Sequence, residues 1–142
     1  MTTKLVEGAL EALHESGAVE DSISTFHVPG AFELPLACLK AAQTGKFDAV
    51  IALGVVIRGD TPHFEYVAGQ AASGIQQASL STGIPVLFGV ITADTVEQVN
   101  VRTGERNHNK GYEAAYAAIE MISALRSIDV SSRLENIVSN VH

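Results

Sequence analysis

The sequence contains no tryptophan, one cysteine and four prolines, and only 9 lysines and arginines stand against 16 acidic residues. Each scarcity removes a class of protein. A lone Cys38 cannot close an intrachain disulfide, and its place in an apolar helical stretch suits a small buried residue of a reducing compartment. A net charge of −7, with no stripe of Lys and Arg, excludes a surface that tracks nucleic acid, so any anionic ligand must be caught by local cations and backbone N–H groups. No apolar run reaches membrane-spanning length, and the first residues enter a helical pattern without the apolar core of a secretory signal. The expectation is a cytoplasmic protein without membrane contact. A Gly-x-Gly-x-x-Gly turn, a Walker loop, zinc-ligand spacing and a nucleophile elbow are all missing, so no metal or organic cofactor is indicated.

What is present is ample material for a core. Of 142 residues, 46% are apolar and mean hydropathy is positive, which suits one domain over residues 1–142. Leu5, Ala9, Leu10 and Leu13 recur at helical spacing after a start that Thr2 or Thr3 can cap, and Gly17 supplies the stop. Ser22 to Val28 alternates and ends at Pro29-Gly30, as a strand entering a turn does. Ala31 to Ala42 is helical again, with Gly45 as its terminator. Phe47 to Ile57 is a nearly unbroken apolar run suited to a strand buried on both faces, and Pro85 to Thr92 is a second one. Between them His63 to Ser81 is helical and rich in small residues, including Gly69 and Gly74. These permit close approach either to another subunit or to the chain's own sheet. A short helix near Thr95 to Val101 and a long one from about Asn109 to Ser127 follow. The tail from Asp129, with Leu134, Ile137, Val138 and Val141 at weak helical spacing, reads as a segment that docks on a neighbour or frays.

Strands alternating with helices imply the α/β class, with a parallel sheet covered on both faces in three layers. Ligands of such sheets sit beyond the carboxyl ends of the strands. That edge collects three polar loops. The first, Val28 to Glu33, brings backbone close to a ligand through Pro29-Gly30. Glu33 there either complements the helix dipole or accepts hydrogen bonds from a polyhydroxyl chain. The second, Arg58-Gly59-Asp60-Thr61-Pro62-His63, leaves the most buried strand and enters a helix directly. Its backbone N–H groups form an anion site, Gly59 admits unusual backbone angles, and the His63 imidazole is of the type that both gives and takes protons near neutrality. His63 otherwise reads as a surface or capping residue, and the Asp60 carboxylate must point away from any phosphate. The third region joins Phe88 to Arg102, Arg106, His108 and Lys110, a local cation cluster in an acidic chain, which is otherwise a solvated loop. Phe88 alone reads as core. Together these loops point to a cofactor-free enzyme acting on a small phosphorylated metabolite.

Four segments, Val28 to Pro35, Ala52 to Val67, Pro85 to Thr92 and Asn109 to Ala115, taken in order, resemble the 6,7-dimethyl-8-ribityllumazine synthase family over nearly the whole chain. The resemblance implies a flavodoxin-like sheet of family order 2-1-3-4. It also implies condensation of 5-amino-6-(D-ribitylamino)uracil with 3,4-dihydroxy-2-butanone 4-phosphate, without a cofactor, in riboflavin biosynthesis. By resemblance, Ala31 and Glu33, with Phe32 between them, hold the ribityl chain while Val56 and Ile57 line the pyrimidine pocket. Gly59, Asp60 and Thr61 surround the phosphate, Arg102 is its main cation, and His63 transfers protons. Phe88, Arg102 and Lys110 match positions that face a neighbouring subunit's pocket, and Arg106 keeps a charge where the family often has lysine. The family forms pentamers, and in some members twelve pentamers close into a shell, with riboflavin synthase as a further partner. The chain departs from the family at its start, because Met1 to Gly8 aligns with the family's first helix. The family's first strand and the loop whose aromatic ring stacks on the pyrimidine have no counterpart. Three expectations follow: a longer natural chain, a substitute for the missing strand, or direct pairing of Ser22 to Val28 with Phe47 to Ile57. A catalytically impaired assembly protein of the same fold is the alternative function. A flavodoxin-like signalling domain is a third reading, and it explains neither the Gly59 to His63 loop nor the cations.

Overall fold

The computed structural model describes residues 1–141, with side chains up to Ser131. The expected contacts of Leu134, Ile137, Val138 and Val141 lie outside the described residues. Five α-helices surround two strands: α1 (Thr2–Glu15), α2 (Leu34–Gln43), β1 (Val50–Ile57), α3 (His63–Thr82), β2 (Val86–Ala93), α4 (Val96–Val101) and α5 (Lys110–Val141). The class is α/β, as the sequence pattern implies.

The two strands pair in parallel from Val50 with Val86 to Ile57 with Ala93. Alternation along a strand sends neighbouring side chains to opposite faces. Val50, Ala52 and Val56 of β1, with Val86 and Val90, pack on Leu34 and Cys38 of α2 and on Ala71, Ile75 and Ala78 of α3. Ile51, Leu53, Val55 and Ile57, with Ile91 and Ala93, pack on Leu5, Ala9 and Ala12 of α1, Val99 of α4, and Tyr112 and Ala115 of α5. Helices therefore cover both faces, and the layers are α/β/α. Cys38 is buried as expected, and burial pushes its thiol up to about 11.

One expected strand does not form. Ser22 ends a short 3-10 turn, Glu20–Ser22, Ile23 after it is extended, and the segment to Val28 forms no ladder and does not move over to pair with β1. Its apolar residues still find contacts, Phe26 edge-on to Phe47 and Val28 against the α2/α3 core. A strand needs a partner as well as a propensity. Among the described residues, the edge of β1 away from β2 is likewise unpaired.

The stops of the first two helices follow local chemistry, and the start of α1 does not. Gly17 and Gly45 end their helices at φ 94° and 71°, angles that favour glycine. Neither Thr2 nor Thr3 caps α1; both are inside the helix and Met1 precedes it without a side-chain bond. The small residues of α3 divide by role. A side chain at Gly74 would meet Pro35 of α2 at 2.6 Å, whereas Gly69 faces open space. The close approach is thus between α2 and α3 of one chain.

α1 and α5 also pack backbone to backbone. Leu5, Gly8, Ala9 and Ala12 form the buried stripe of α1, and any side chain at Gly111 would strike the Leu5 carbonyl. Among the described residues, no helix is long and apolar enough to cross a membrane.

Candidate active site

β1 delivers the chain to the carboxyl edge of the sheet, and the Arg58 N–H still donates to the Ala93 carbonyl there at 2.8 Å. The next residues turn outward, and α3 begins at His63 with Pro62 in the capping position. No side chain caps this helix in full; the His63 N–H reaches Thr61 Oγ1 only at 3.4 Å. The first amides of a helix lack internal partners and face along its axis, which suits an anion.

A cavity of about 270 Å³ opens at this point, lined by Ala31, Val56, Ile57, Gly59, Thr61 and His63, together with Val55, Phe64 and Val67. One imidazole, one hydroxyl, a glycine with open space around it, and an apolar wall thus meet in one depression. Gly59 does not adopt a left-handed conformation; its contribution is the absence of a side chain at the mouth. Phe64 and Val67 escaped the sequence reading, although Val67 lies one helical turn beyond His63 and so shares its face.

Arg58 turns away from this cavity. Its guanidinium lies 3.4 Å from Glu65, 3.5 Å from Asp94 and 5.5 Å over the Phe64 ring, beside a second depression of about 240 Å³ that includes Asp60. With every partner largely exposed, each pair contributes about 1 kcal/mol at most. Their effect is to join the ends of β1 and β2 to the first turn of α3.

Other residues singled out by the sequence lie elsewhere. Glu33 closes a 3-10 turn, Ala31–Glu33, at the entrance to α2, and Phe32 beside it is 58% exposed. Only Ala31 of these three lines the cavity. Phe88 is on β2 and 36% exposed, so it is not core. Arg102, at the end of α4, donates to the Thr92 carbonyl at 2.7 Å, which holds its guanidinium at the same carboxyl edge. Lys110 opens α5, and neither it nor Arg102 borders the cavity of its own chain.

Arg106 is engaged with α1. It sits at φ 48°, a left-handed angle unusual for a residue with a side chain, and pairs with Glu15 at 3.0 Å. Tyr112 O–H donates to the same carboxylate at 2.5 Å, and Tyr116 O–H at 3.3 Å. The Tyr112 hydrogen bond, then Arg106, hold the Glu15 carboxyl below the usual carboxylate range, while the carboxylate pushes the Tyr112 phenol up.

A parallel α/β layer that brings a turn, a helix N-terminus and an imidazole together at the carboxyl end of its strands has the form of an α/β enzyme with its pocket at that edge. The particular family follows from comparison with known proteins. The sequence profile described as 6,7-dimethyl-8-ribityllumazine synthase matches residues 1–126. Proteins of that name from Chlorobium luteolum and Syntrophus aciditrophicus are 51% and 54% identical over 125 and 126 residues. These matches span 88% and 89% of this chain and 81% and 82% of the relatives. The chain belongs to the 6,7-dimethyl-8-ribityllumazine synthase family.

Proposed function

We propose that this protein condenses 5-amino-6-(D-ribitylamino)uracil with 3,4-dihydroxy-2-butanone 4-phosphate to 6,7-dimethyl-8-ribityllumazine in riboflavin biosynthesis, releasing phosphate and water. The observation that carries the reading is the shared cavity of His63, Thr61, Gly59 and the Val55 to Ile57 wall. The apolar wall takes the pyrimidine, Ala31 and Glu33 with Phe32 take the ribityl chain, and the turn Gly59 to Thr61 takes the phosphate. His63 moves the proton as the 5-amino group adds to the ketone and water leaves, and again as phosphate is eliminated before ring closure, in which the ribitylamino nitrogen adds to the remaining carbonyl and a second water leaves. Small molecules are its substrates, and the cytoplasm is its place of work.

The remaining parts come from a second copy. Phe88, Arg102 and Lys110 stand outside their own chain's cavity, which suits their presentation to an adjacent subunit, whereas Arg106 is held by Glu15 of its own α1. Leu36, Tyr66, Leu80 and Val101, each more than 60% exposed, are apolar surface that a ring of subunits would cover. The proposed assembly is a pentamer of this chain or a shell of such pentamers.

Turnover followed by lumazine absorbance and by phosphate release tests the reading. His63→Ala lowers turnover by about 10²-fold or more; unchanged turnover removes His63 from the mechanism. The open edge of β1 favours a second reading, an assembly protein that binds but does not convert, because that edge borders the cavity at Val55 and Ile57. Binding of a ribityl-pyrimidine analogue without product from the two substrates would select it.

A further inference from the structure

We propose that Asn109 is a positioning residue for phosphate binding, acting through Arg102; the proposal rests on the reading of Arg102 as the cation of the phosphate site. Asn109 is 3% exposed, and it and Thr103 are the buried polar residues among those described. Its Oδ1 accepts from the backbone N–H groups of Gly111 at 2.9 Å and Tyr112 at 3.1 Å, which caps α5. Its Nδ2 donates to the Lys4 carbonyl at 3.0 Å and the Gly104 carbonyl at 3.1 Å. Two donors and two acceptor positions are thus all occupied, the full capacity of a primary amide.

A helix cap requires only the oxygen, and serine or aspartate supplies one as well. The nitrogen serves a different purpose. It fastens the Arg102 to Lys110 loop to α1, 105 residues away along the chain. Gly8 leaves the space in α1 that the Asn109 amide fills. The loop is closed on itself around that amide: the Lys110 N–H donates to the Arg102 carbonyl at 2.9 Å, Thr103 and Asn109 form an antiparallel bridge, and Gly104 N–H meets the His108 carbonyl at 3.0 Å. Fixing Asn109 therefore fixes the backbone of Arg102, whose guanidinium is then aligned at the carboxyl end of β2 by the Thr92 carbonyl. A cation held in place before the anion arrives loses less freedom on binding, and a small displacement of such a group weakens the interaction disproportionately.

The test measures inorganic phosphate affinity of the assembled protein by calorimetry, with KM for each substrate alongside. Asn109→Ser keeps a capping oxygen and neutrality but removes both nitrogen ties. Gly8→Ala, which places a methyl where the amide sits, is a second and independent route to the same displacement. Either variant weakens phosphate binding about tenfold and raises KM for the phosphorylated substrate, with KM for the pyrimidine unchanged. Combined with Arg102→Ala, Asn109→Ser adds no further loss. Should Asn109→Ser fail to fold, Gly8→Ala carries the same outcomes. Wild-type phosphate affinity in Arg102→Ala overturns the underlying site. Weakening in Arg102→Ala with wild-type affinity in Asn109→Ser and Gly8→Ala overturns the role of Asn109 alone, as does additive loss in the double variant.

Discussion

Glu15 lies near the end of α1, yet its environment is made by residues about a hundred positions later. Tyr112, Arg106 and Tyr116 favour its charged form, so its folded pKa is depressed relative to the unfolded chain. A depressed carboxyl contributes stability that is present above the unfolded pKa and lost as pH falls through the folded one. Glu15→Gln is therefore destabilising near neutrality, and the gap in Tm between it and the native protein narrows below about pH 4. A gap of constant size across that range would show that the carboxylate charge is not the source. Tyr112 has the opposite sense. Its phenol is raised, so its contribution is intact below about pH 10 and declines above it. The same cluster explains why Arg106 differs from its neighbours in the loop: its charge is already matched by Glu15.

At the scale of elements, β1 is paired on one side only. The Val50 N–H donates to Pro85 and the Arg58 N–H to Ala93, so by the two-residue period Ala52, Gly54 and Val56 also face β2. The amides of Ile51, Leu53, Val55 and Ile57 then face the open edge. Hydrogen exchange resolved by residue will find these four faster than the intervening three; uniform protection along β1 would mean that its second edge is covered. This edge also marks the limit of what the sequence made legible. The apolar runs of β1 and β2, the stops at Gly17 and Gly45, and the helix beginning at His63 were all readable, because each rests on neighbouring residues. Ser22 to Val28 has the alternation of a strand but no neighbour to pair with, and pairing is not written in the segment itself. The site divides in the same way. The Gly59 to His63 turn was readable as a contiguous loop, whereas Phe64 and Val67 entered the cavity only once α3 was oriented. The Asn109 to Lys4 bond, which joins residues 105 positions apart, has no local signature at all.

At the scale of the whole molecule, the geometry separates the proposed catalytic groups into two sets. His63 and Thr61 line the cavity, while Phe88, Arg102 and Lys110 do not border it. If each working site takes the first set from one subunit and the second from the next, subunits with complementary defects can repair one another. His63→Ala supplies an intact Arg102, and Arg102→Ala supplies an intact His63. Each variant assembled alone has a defect at every site. In rings formed at random from equal amounts of both, an interface has an intact His63 from one side about half the time and an intact Arg102 from the other about half the time. About one quarter of sites are then wild type, and turnover per subunit rises to about a quarter of the native value. Were both groups drawn from the same chain, every site in the mixture would still carry a defect. Turnover would remain at the average of the two variants. Mixing after unfolding and refolding, against mixing of preassembled rings as the control, distinguishes the two arrangements in one measurement.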